Sequence, residues 1–322
     1  MYLRSFLLFL FLFLSIQVRS QDIAMSREFS LSNENDVYLL RESDRYYSNG
    51  VIAHYRWLPK NQDPEDSTKI IFDFEFSHKF YTPQDLLVSN VDEFHRPYAG
   101  LLSSEISFNQ YSKRTTRRYL GLGIGLVGKA SGGQGFQEWY HSAVGFPAPR
   151  GWQYQIPNEF IINLKAGFNK QFMLSPGRID VMSSTDFSLG TGFTHAIQRL
   201  DIRFGKLQWL RNSTFTNALI GNGSDNIPRH NYIFVGYGLQ YVAHNITING
   251  SIWNDDAIHT ETSQPWVRHL RVGFASSSDE ATFKLTYNWS SPEVSGIGRH
   301  AYLALELLLR FPSNSLNNSV SK

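Results

Sequence analysis

The chain has 322 residues, a formal net charge of +2 and no cysteine. A near-neutral charge without a long basic block argues against nucleic acid as a partner. The lack of cysteine excludes a disulfide framework and any metal site built on thiolates. Stability must therefore come from packing and backbone hydrogen bonds.

Residues 1–20 predict a secretion signal. Arg4 precedes an apolar block at 6–16, and Ser20 is a small residue that suits cleavage. We expect residues 21–322 to form a single domain. After the signal, no run of about twenty apolar residues is present, which excludes a helical membrane span.

The rest of the chain is a succession of segments of roughly ten residues in which apolar and polar residues alternate. The last segment is the clearest, because every second residue from Leu303 to Phe311 is apolar. Lipid outside and water inside a β-barrel produce this pattern. The terminal aromatic residue resembles the C-terminal signal of bacterial outer-membrane barrels, although a polar tail at 312–322 follows it.

Twelve such segments predict an all-β fold, a transmembrane antiparallel barrel of twelve strands. They span residues 29–41, 50–58, 69–80, 100–111, 117–128, 159–171, 178–190, 200–215, 231–244, 266–276, 281–290 and 300–311. The even number places both termini on the periplasmic side, with short turns there and long extracellular loops at 129–158 and 245–265. Residues 212–229 show little alternation. A soluble sandwich with reversed faces is the alternative, but the signal, the aromatic content and the terminal strand favour the barrel.

Loop 129–158 contains the short helix that the sequence predicts, over 134–144. Gln137 and His141 are four residues apart and share one face of this helix, beside an apolar stripe that begins at Phe136. The helix can therefore pack by the apolar stripe and present an imidazole from the neighbouring face.

In the strand before this loop, every second residue is glycine, at Gly121, Gly123 and Gly125. We predict that this glycine stripe faces the lumen and leaves room there. We expect the helix to fold back into the barrel mouth against this stripe. His141 would then lie near Asp36.

Glu34, Asn35 and Asp36 form a polar cluster where the pattern predicts a membrane-spanning strand. A carboxylate near hydrocarbon must be paired, hydrated or bound to a cation, so we interpret the cluster as half of an active site. Adjacent strand residues point to opposite faces, so Asn35 and Asp36 can act together only at a bulge or a strand end. The alternative is that the two acids simply line a water-filled lumen.

Ester hydrolysis needs a base that activates water and a positive centre for the oxyanion. His141 would be the base, Gln137 an orienting group, and Asp36 and Asn35 the ligands of a hard cation. Calcium, magnesium and manganese all accept these oxygen ligands.

Several motifs are similar to those of the outer-membrane lipid A 3'-O-deacylase family. They are Glu34-Asn35-Asp36, Asp44-Arg45-Tyr46-Tyr47-Ser48-Asn49-Gly50, Arg96-Pro97-Tyr98-Ala99-Gly100, Gln137 with His141, Pro149 with Gly151-Trp152 and Gln155, and Asn158-Glu159. The resemblance implies a twelve-stranded outer-membrane barrel whose extracellular helix carries the catalytic His141, with calcium near Asn35 and Asp36. It implies lipid A, or lipopolysaccharide in the outer leaflet, as the substrate that loses its 3'-linked acyloxyacyl group. Glu34, Ser48 and Asn49 would support the substrate or the site, although the family usually has threonine at the position of Ser48.

Two other functions are compatible with a barrel of this size. A passive porin or small receptor barrel would use the lumen, which a loop helix in the mouth would obstruct. A serine esterase resembling outer-membrane phospholipase A would need a serine beside the base. Ser142 follows His141 directly on the helix, where the two side chains cannot face each other, and the chain has no Gly-x-Ser-x-Gly motif.

Overall fold

The computed structural model describes residues 25–39, 45–60, 62, 67–112, 114–221 and 230–312. These residues form a closed barrel in which each strand pairs with its neighbours in chain order and the last strand pairs with the first. The strands are β1 Met25–Asn35, β2 Tyr46–Trp57, β3 Thr68–Thr82, β4 Ala99–Ser112, β5 Thr116–Val127, β6 Glu159–Ser175, β7 Ile179–Gly190, β8 Phe193–Lys206, β9 His230–Asn245, β10 Trp266–Ser277, β11 Ala281–Ser290 and β12 His300–Pro312. The predicted twelve-stranded antiparallel barrel is confirmed.

Two α-helices lie in the loops, α1 at Gly133–Val144 and α2 at Ile246–Asn249. Short 3-10 helices occur at Val37–Leu39, Val91–Glu93, Lys129–Ser131, Trp152–Tyr154, Leu210–Asn212 and Thr214–Thr216. Across the described residues, no helix combines the length and apolar character needed to cross a membrane.

Alternation along the strands separates a lipid face from a lumen face. On β3, Phe74 and Phe76 are exposed on the outside of the barrel. On β1, Glu28, Ser30 and Ser32 are buried inside it. The outer surface is therefore an apolar belt, and the lumen is polar.

The pairing of Met25 with Pro312 brings the two ends of the sheet to one rim. In bacterial barrels this is the periplasmic rim. The connections that follow β1, β3, β5, β7, β9 and β11 therefore lie at the opposite, extracellular rim.

The predicted bounds of the eighth strand, 200–215, are wrong. The strand is Phe193–Lys206, and only residues 191–192 connect it to β7 at the extracellular rim. Residues 207–221, which follow this strand, lie at the periplasmic rim, where the sequence predicts short turns. Their apolar residues do not alternate because they pack inside the barrel and do not belong to a strand.

Residues 207–221 pack in the periplasmic end of the lumen. Leu210 and Ala218 pack with Ile71 and Tyr111, whose side chains point inward from β3 and β4. The Lys69 Nζ donates a hydrogen bond to the Ala218 carbonyl, at 2.6 Å. We call residues 207–221 the periplasmic plug.

Helix α2 packs in the extracellular mouth. Ile246 contacts the cluster of Ala99 and Val127, and Ile248 packs with Tyr46 nearby. Between the periplasmic plug and this mouth lies a polar cavity of about 570 Å³. The plug and α2 therefore narrow the lumen from its two ends.

Candidate functional site

The lipid face of the barrel becomes polar near the extracellular rim of β1 and β2. On β1, Phe29 and Leu31 are exposed to lipid, and the next residues on the same face are Asn33 and Asn35. The Asn33 amide nitrogen donates to the Asn49 side-chain oxygen of β2 at 3.2 Å. Asparagine side chains on a lipid face need partners, and here they bond to one another across the two strands.

Asn35 and Asp36 are both buried, with 3% and 4% of their surface exposed. The Asn35 side-chain oxygen accepts from the Val37 N–H at 2.8 Å, and the Asp36 Oδ2 accepts from the Arg45 N–H at 2.9 Å. Strand β1 ends at Asn35. Asp36 already belongs to the turn after the strand, so its side chain need not point to the face opposite Asn35.

A β-bulge in β2 brings Ser48 to the same outer surface. The register with β3 shifts between Tyr47 and Asn49. The Ser48 hydroxyl shares a hydrogen bond with the Thr82 hydroxyl, at 2.6 Å, and Thr82 lies on the face of β3 that carries Phe80. Ser48 and Asn49 thus join Asn35 and Asp36 in one polar patch.

Glu34 does not belong to this patch. It lines the cavity inside the barrel, and it accepts a hydrogen bond from the Tyr47 hydroxyl. Because Glu34 lies between Asn33 and Asn35 on β1, its side chain points to the opposite face of the strand, into the lumen. For Glu34, the lumen-lining alternative therefore agrees with the structure.

Helix α1 lies on the outside of the barrel wall. Its first residue, Gly133, packs against the backbone of Gly100 on the outer face of β4. One turn further, the Phe136 ring contacts His78 and Phe80 on β3, with ring centroids 5.6 Å apart in both pairs. The helix thus crosses the lipid face of β4 and then of β3.

The far end of α1 reaches the turn that follows β1. Burial and, to a smaller extent, the neighbouring Tyr140 of α1 together raise the pKa of Tyr38 to about 12. The Tyr38 hydroxyl donates to the Asn33 side-chain oxygen at 2.5 Å. Tyr38 therefore links the helix that carries His141 to the polar patch around Asn35.

The predicted position of the helix inside the mouth, against the glycine stripe, is wrong. A Cβ atom on Gly121 would come within 2.6 Å of the Glu105 carboxylate, and one on Gly125 within 2.8 Å of the Leu102 carbonyl. Neighbouring β4 residues fill this space. The close approach of the helix occurs at Gly100, where an added Cβ would lie 3.1 Å from the Gly133 Cα.

Gln137 is fully buried, and a residue from the same loop holds its amide. The Trp152 Nε1–H donates to the Gln137 Oε1 at 2.8 Å, and Trp152 is itself 1% exposed. Because the amide oxygen receives the indole N–H, the amide nitrogen, which only donates, points away from Trp152. The residue thus has a fixed donor direction.

His141 is also buried, and the backbone sets its tautomer. Its Nδ1 lies 2.7 Å from the Pro147 carbonyl oxygen. A carbonyl only accepts hydrogen bonds, so the neutral ring carries its proton on Nδ1 and a lone pair on Nε2. Gly145, with φ of 80°, ends the helix and turns the chain so that Pro147 returns to the ring.

Sequence reasoning missed several residues of this site: Asn33, Tyr38, His78, Thr82, Pro147 and Trp152. Trp152 belongs to one of the family motifs, but the motif alone does not predict its hydrogen bond to the Gln137 side chain. Asn33 was detectable, because it shares the strand face of Asn35. The role of Pro147 depends on its carbonyl, which carries no sequence signal.

The donor atoms around Asp36 suit a hard cation. Buried carboxylate and amide oxygens are the types that calcium accepts, together with backbone carbonyls and water. Among the described residues, no group of three or more His, Cys, Asp or Glu side chains lies close enough to hold a metal. A cation here would therefore depend on Asp36, on Asn35 and on neutral oxygens.

The sequence matches the family described as outer membrane protein LpxR over residues 6–311. The chain belongs to the LpxR family. This confirms the family predicted from the motifs and identifies an integral protein of the outer membrane. A search of curated protein sequences found no match.

Among solved structures, LpxR from Salmonella typhimurium aligns with a TM-score of 0.72 at 19% identity, covering 88% of this chain and 100% of that one. The β domain of the Bordetella autotransporter BrkA aligns with a TM-score of 0.44 at 8% identity, covering 89% of this chain and 100% of that one. The NalP translocator domain from Neisseria meningitidis gives a TM-score of 0.44 at 8% identity, covering 89% and 88%. The LpxR alignment supports the twelve-stranded fold.

Proposed function

We propose that the protein is a lipid A 3'-O-deacylase, an ester hydrolase that removes the 3'-linked acyloxyacyl group by attack of water. The observation that carries the proposal is the position of α1, with His141 and Gln137, on the lipid face of the wall at the extracellular rim. Lipid A occupies the outer leaflet, which is the medium that this face contacts. Membership of the LpxR family supports the same substrate.

His141 would act as the general base. Its Nδ1–H is held by the Pro147 carbonyl, so Nε2 is the atom that takes a proton from water. The water oxygen then bonds to the ester carbonyl carbon, and the carbonyl oxygen becomes an oxyanion. When the C–O ester bond breaks, the protonated ring returns its proton to the leaving sugar oxygen. The products are a free acyloxyacyl acid and a sugar hydroxyl.

Gln137 would direct a donor at the developing negative charge. Trp152 holds its amide oxygen, so the amide nitrogen is the end of the side chain that would act as the donor. Calcium, held by Asp36 and Asn35, would supply positive charge for the oxyanion when bound. Ser48 and Asn49 would border the sugar of the substrate.

Mass spectrometry of lipid A tests the proposal directly. Cells that express the chain should produce lipid A without the 3'-linked acyloxyacyl group, and His141→Ala should restore the intact form. His95→Ala is the matched control, because His95 is an exposed extracellular histidine, and it should behave as the wild type. Intact lipid A in wild-type expressing cells, with the barrel folded in the outer membrane, would refute the activity.

The other two functions have less support. The periplasmic plug and α2 pack in the two ends of the lumen, so we expect no steady conductance in planar bilayers, where a porin would conduct. Ser142 is exposed beside the buried His141, which disfavours a serine nucleophile activated by this ring. Ohmic conductance of the intact protein would favour the porin.

A further inference from the structure

A groove of about 610 Å³ opens on the outer surface at the opposite, periplasmic end of β1–β3. Its walls come from the start of β1, the end of β2 and the residues that follow β2. It lies on the same strands as the candidate active site, one membrane thickness away. Nothing in the proposed hydrolysis uses it.

The polar groups of this groove are hydrogen-bond donors. Arg27 and Lys60 line it, and within the described residues neither has an ion pair or a side-chain hydrogen bond. Gln62 also lines it; its Oε1 accepts from the Ile70 N–H at 2.7 Å, which leaves the amide nitrogen as the donor. The buried Ser26 hydroxyl has no hydrogen-bond partner in the described part of the chain.

The described lining contains no acidic residue. Two cations that have no described partner and that lie beside apolar surface suit an anion that also carries hydrocarbon. A small hydrated anion would satisfy the cations but would leave the apolar wall unused.

That wall is aromatic. Tyr55, Trp57 and Phe74 line the groove from the lipid face, and the Trp57 ring stacks on Tyr55 with centroids 5.7 Å apart. Phe74 is 42% exposed. Tryptophan and tyrosine prefer the boundary between hydrocarbon and headgroups, where one end of the ring is apolar and the other is wet.

We propose that this groove binds a glycerophospholipid of the periplasmic leaflet. Its phosphate would lie between the Arg27 guanidinium and the Lys60 ammonium, and its acyl chains would pass along Tyr55 and Phe74. The groove matches such a lipid in charge and in depth within the membrane. The cations lie at the periplasmic ends of the strands, and the apolar wall continues toward the membrane centre. The proposal is independent of the hydrolase activity.

Native mass spectrometry of the full chain in detergent, titrated with phosphatidylglycerol, tests it. Diacylglycerol with the same acyl chains is the comparison ligand, because it lacks the anionic phosphoglycerol headgroup. The wild type should bind one phosphatidylglycerol, and Arg27→Gln with Lys60→Gln should weaken binding at least about tenfold, the loss expected from a charge-assisted hydrogen bond. Diacylglycerol should bind the wild type and the variant equally weakly.

The control removes two exposed cations from the same rim on other strands, by Arg178→Gln with Lys206→Gln. It should bind phosphatidylglycerol as the wild type does. Equal binding to the groove variant and the wild type, or equal affinity for diacylglycerol, would overturn the proposal. Displacement of the lipid by inorganic phosphate would do the same, because it would indicate an anion site without lipid recognition. If the double variant does not fold, Lys60→Gln alone applies the test at an exposed residue.

Discussion

The Trp152 indole N–H and the Gln137 side-chain oxygen form a buried hydrogen bond of 2.8 Å. This bond joins the 3-10 helix at Trp152–Tyr154 to the middle of α1. It fixes which end of the Gln137 amide faces the indole. The amide oxygen accepts from Trp152, and the amide nitrogen points away from it.

Trp152→Phe keeps an aromatic ring but removes this N–H. We expect kcat for deacylation to fall about tenfold with little change in KM, because a donor that is badly aimed costs transition-state stabilisation. If Trp152 acts through Gln137, adding the substitution to Gln137→Ala should produce no further loss. The control is Trp139→Phe, at a side chain 63% exposed. Additive losses in the double variant would indicate a role separate from Gln137.

Gly133→Ala tests whether contact of α1 with the outer wall is required. An added Cβ would lie 2.9 Å from the Gly100 Cα, which is backbone and cannot move aside. Overpacking of this kind costs about 1–3 kcal/mol, so the helix should shift and deacylation should fall while the barrel remains folded.

Gly135→Ala is the matched control, because an added Cβ there would have no described atom within 4 Å apart from the local backbone of its own helix. Alanine also favours a helix over glycine by about 1 kcal/mol. Activity should therefore be unchanged, and heat-modified mobility in gels should show a folded barrel for both variants. Equal activity of the two variants would contradict the packing argument.

Removal of divalent cations should abolish deacylation, and calcium should restore it. Asp36→Asn removes one negative charge from the expected ligands. We therefore expect this variant to need a higher calcium concentration for half-maximal activity, measured by titration after treatment with a chelator. Asp255→Asn, in an exposed extracellular turn, should have the wild-type calcium response. Full activity after exhaustive chelation would exclude an essential metal.

The raised pKa of Tyr38 predicts an effect at alkaline pH. Burial favours the neutral phenol in the folded protein, with a pKa of about 12 against an ordinary value of 10.0. Tyr38 therefore stabilises the fold fully below the ordinary value, and this contribution disappears as the pH rises through about 12. The ultraviolet difference spectrum between wild type and Tyr38→Phe isolates this phenol, and a midpoint at the ordinary tyrosine value would contradict its burial beside Tyr140.

Strand alternation carried most of the fold prediction, since lipid and water impose opposite preferences on the two faces of each strand. It failed at residues 207–221, because a plug inside a barrel has no face in contact with lipid. It also missed the start of β8 at Phe193, where residues 191–192 form a turn too short to interrupt the apolar pattern clearly.

For the candidate site, the sequence predicted the helix of Gln137 and His141 on the wrong side of the barrel wall, and the chemical roles of these residues stay predictions. Helical spacing correctly placed Gln137 and His141 on one buried surface, and the cluster at Asn35 and Asp36 lies on the same side of the barrel wall as their helix. Strand alternation decides which side of the wall a residue faces, and the polar residue Asn33 on the lipid face was the sequence signal for the outer side. The contact between Gly100 and Gly133 fixes where the helix packs. A glycine in the sequence does not indicate which residue will pack against it.

If the proposed hydrolysis takes place, a helix that lies outside the wall determines how the substrate arrives. A lipid that diffuses sideways in its own leaflet meets α1 without leaving the bilayer, and it needs no passage through the pore. The enzyme and its substrate would then meet by diffusion in the plane of the membrane. The turnover rate should therefore depend on the mole fraction of substrate in the membrane and not on the volume of the surrounding solution.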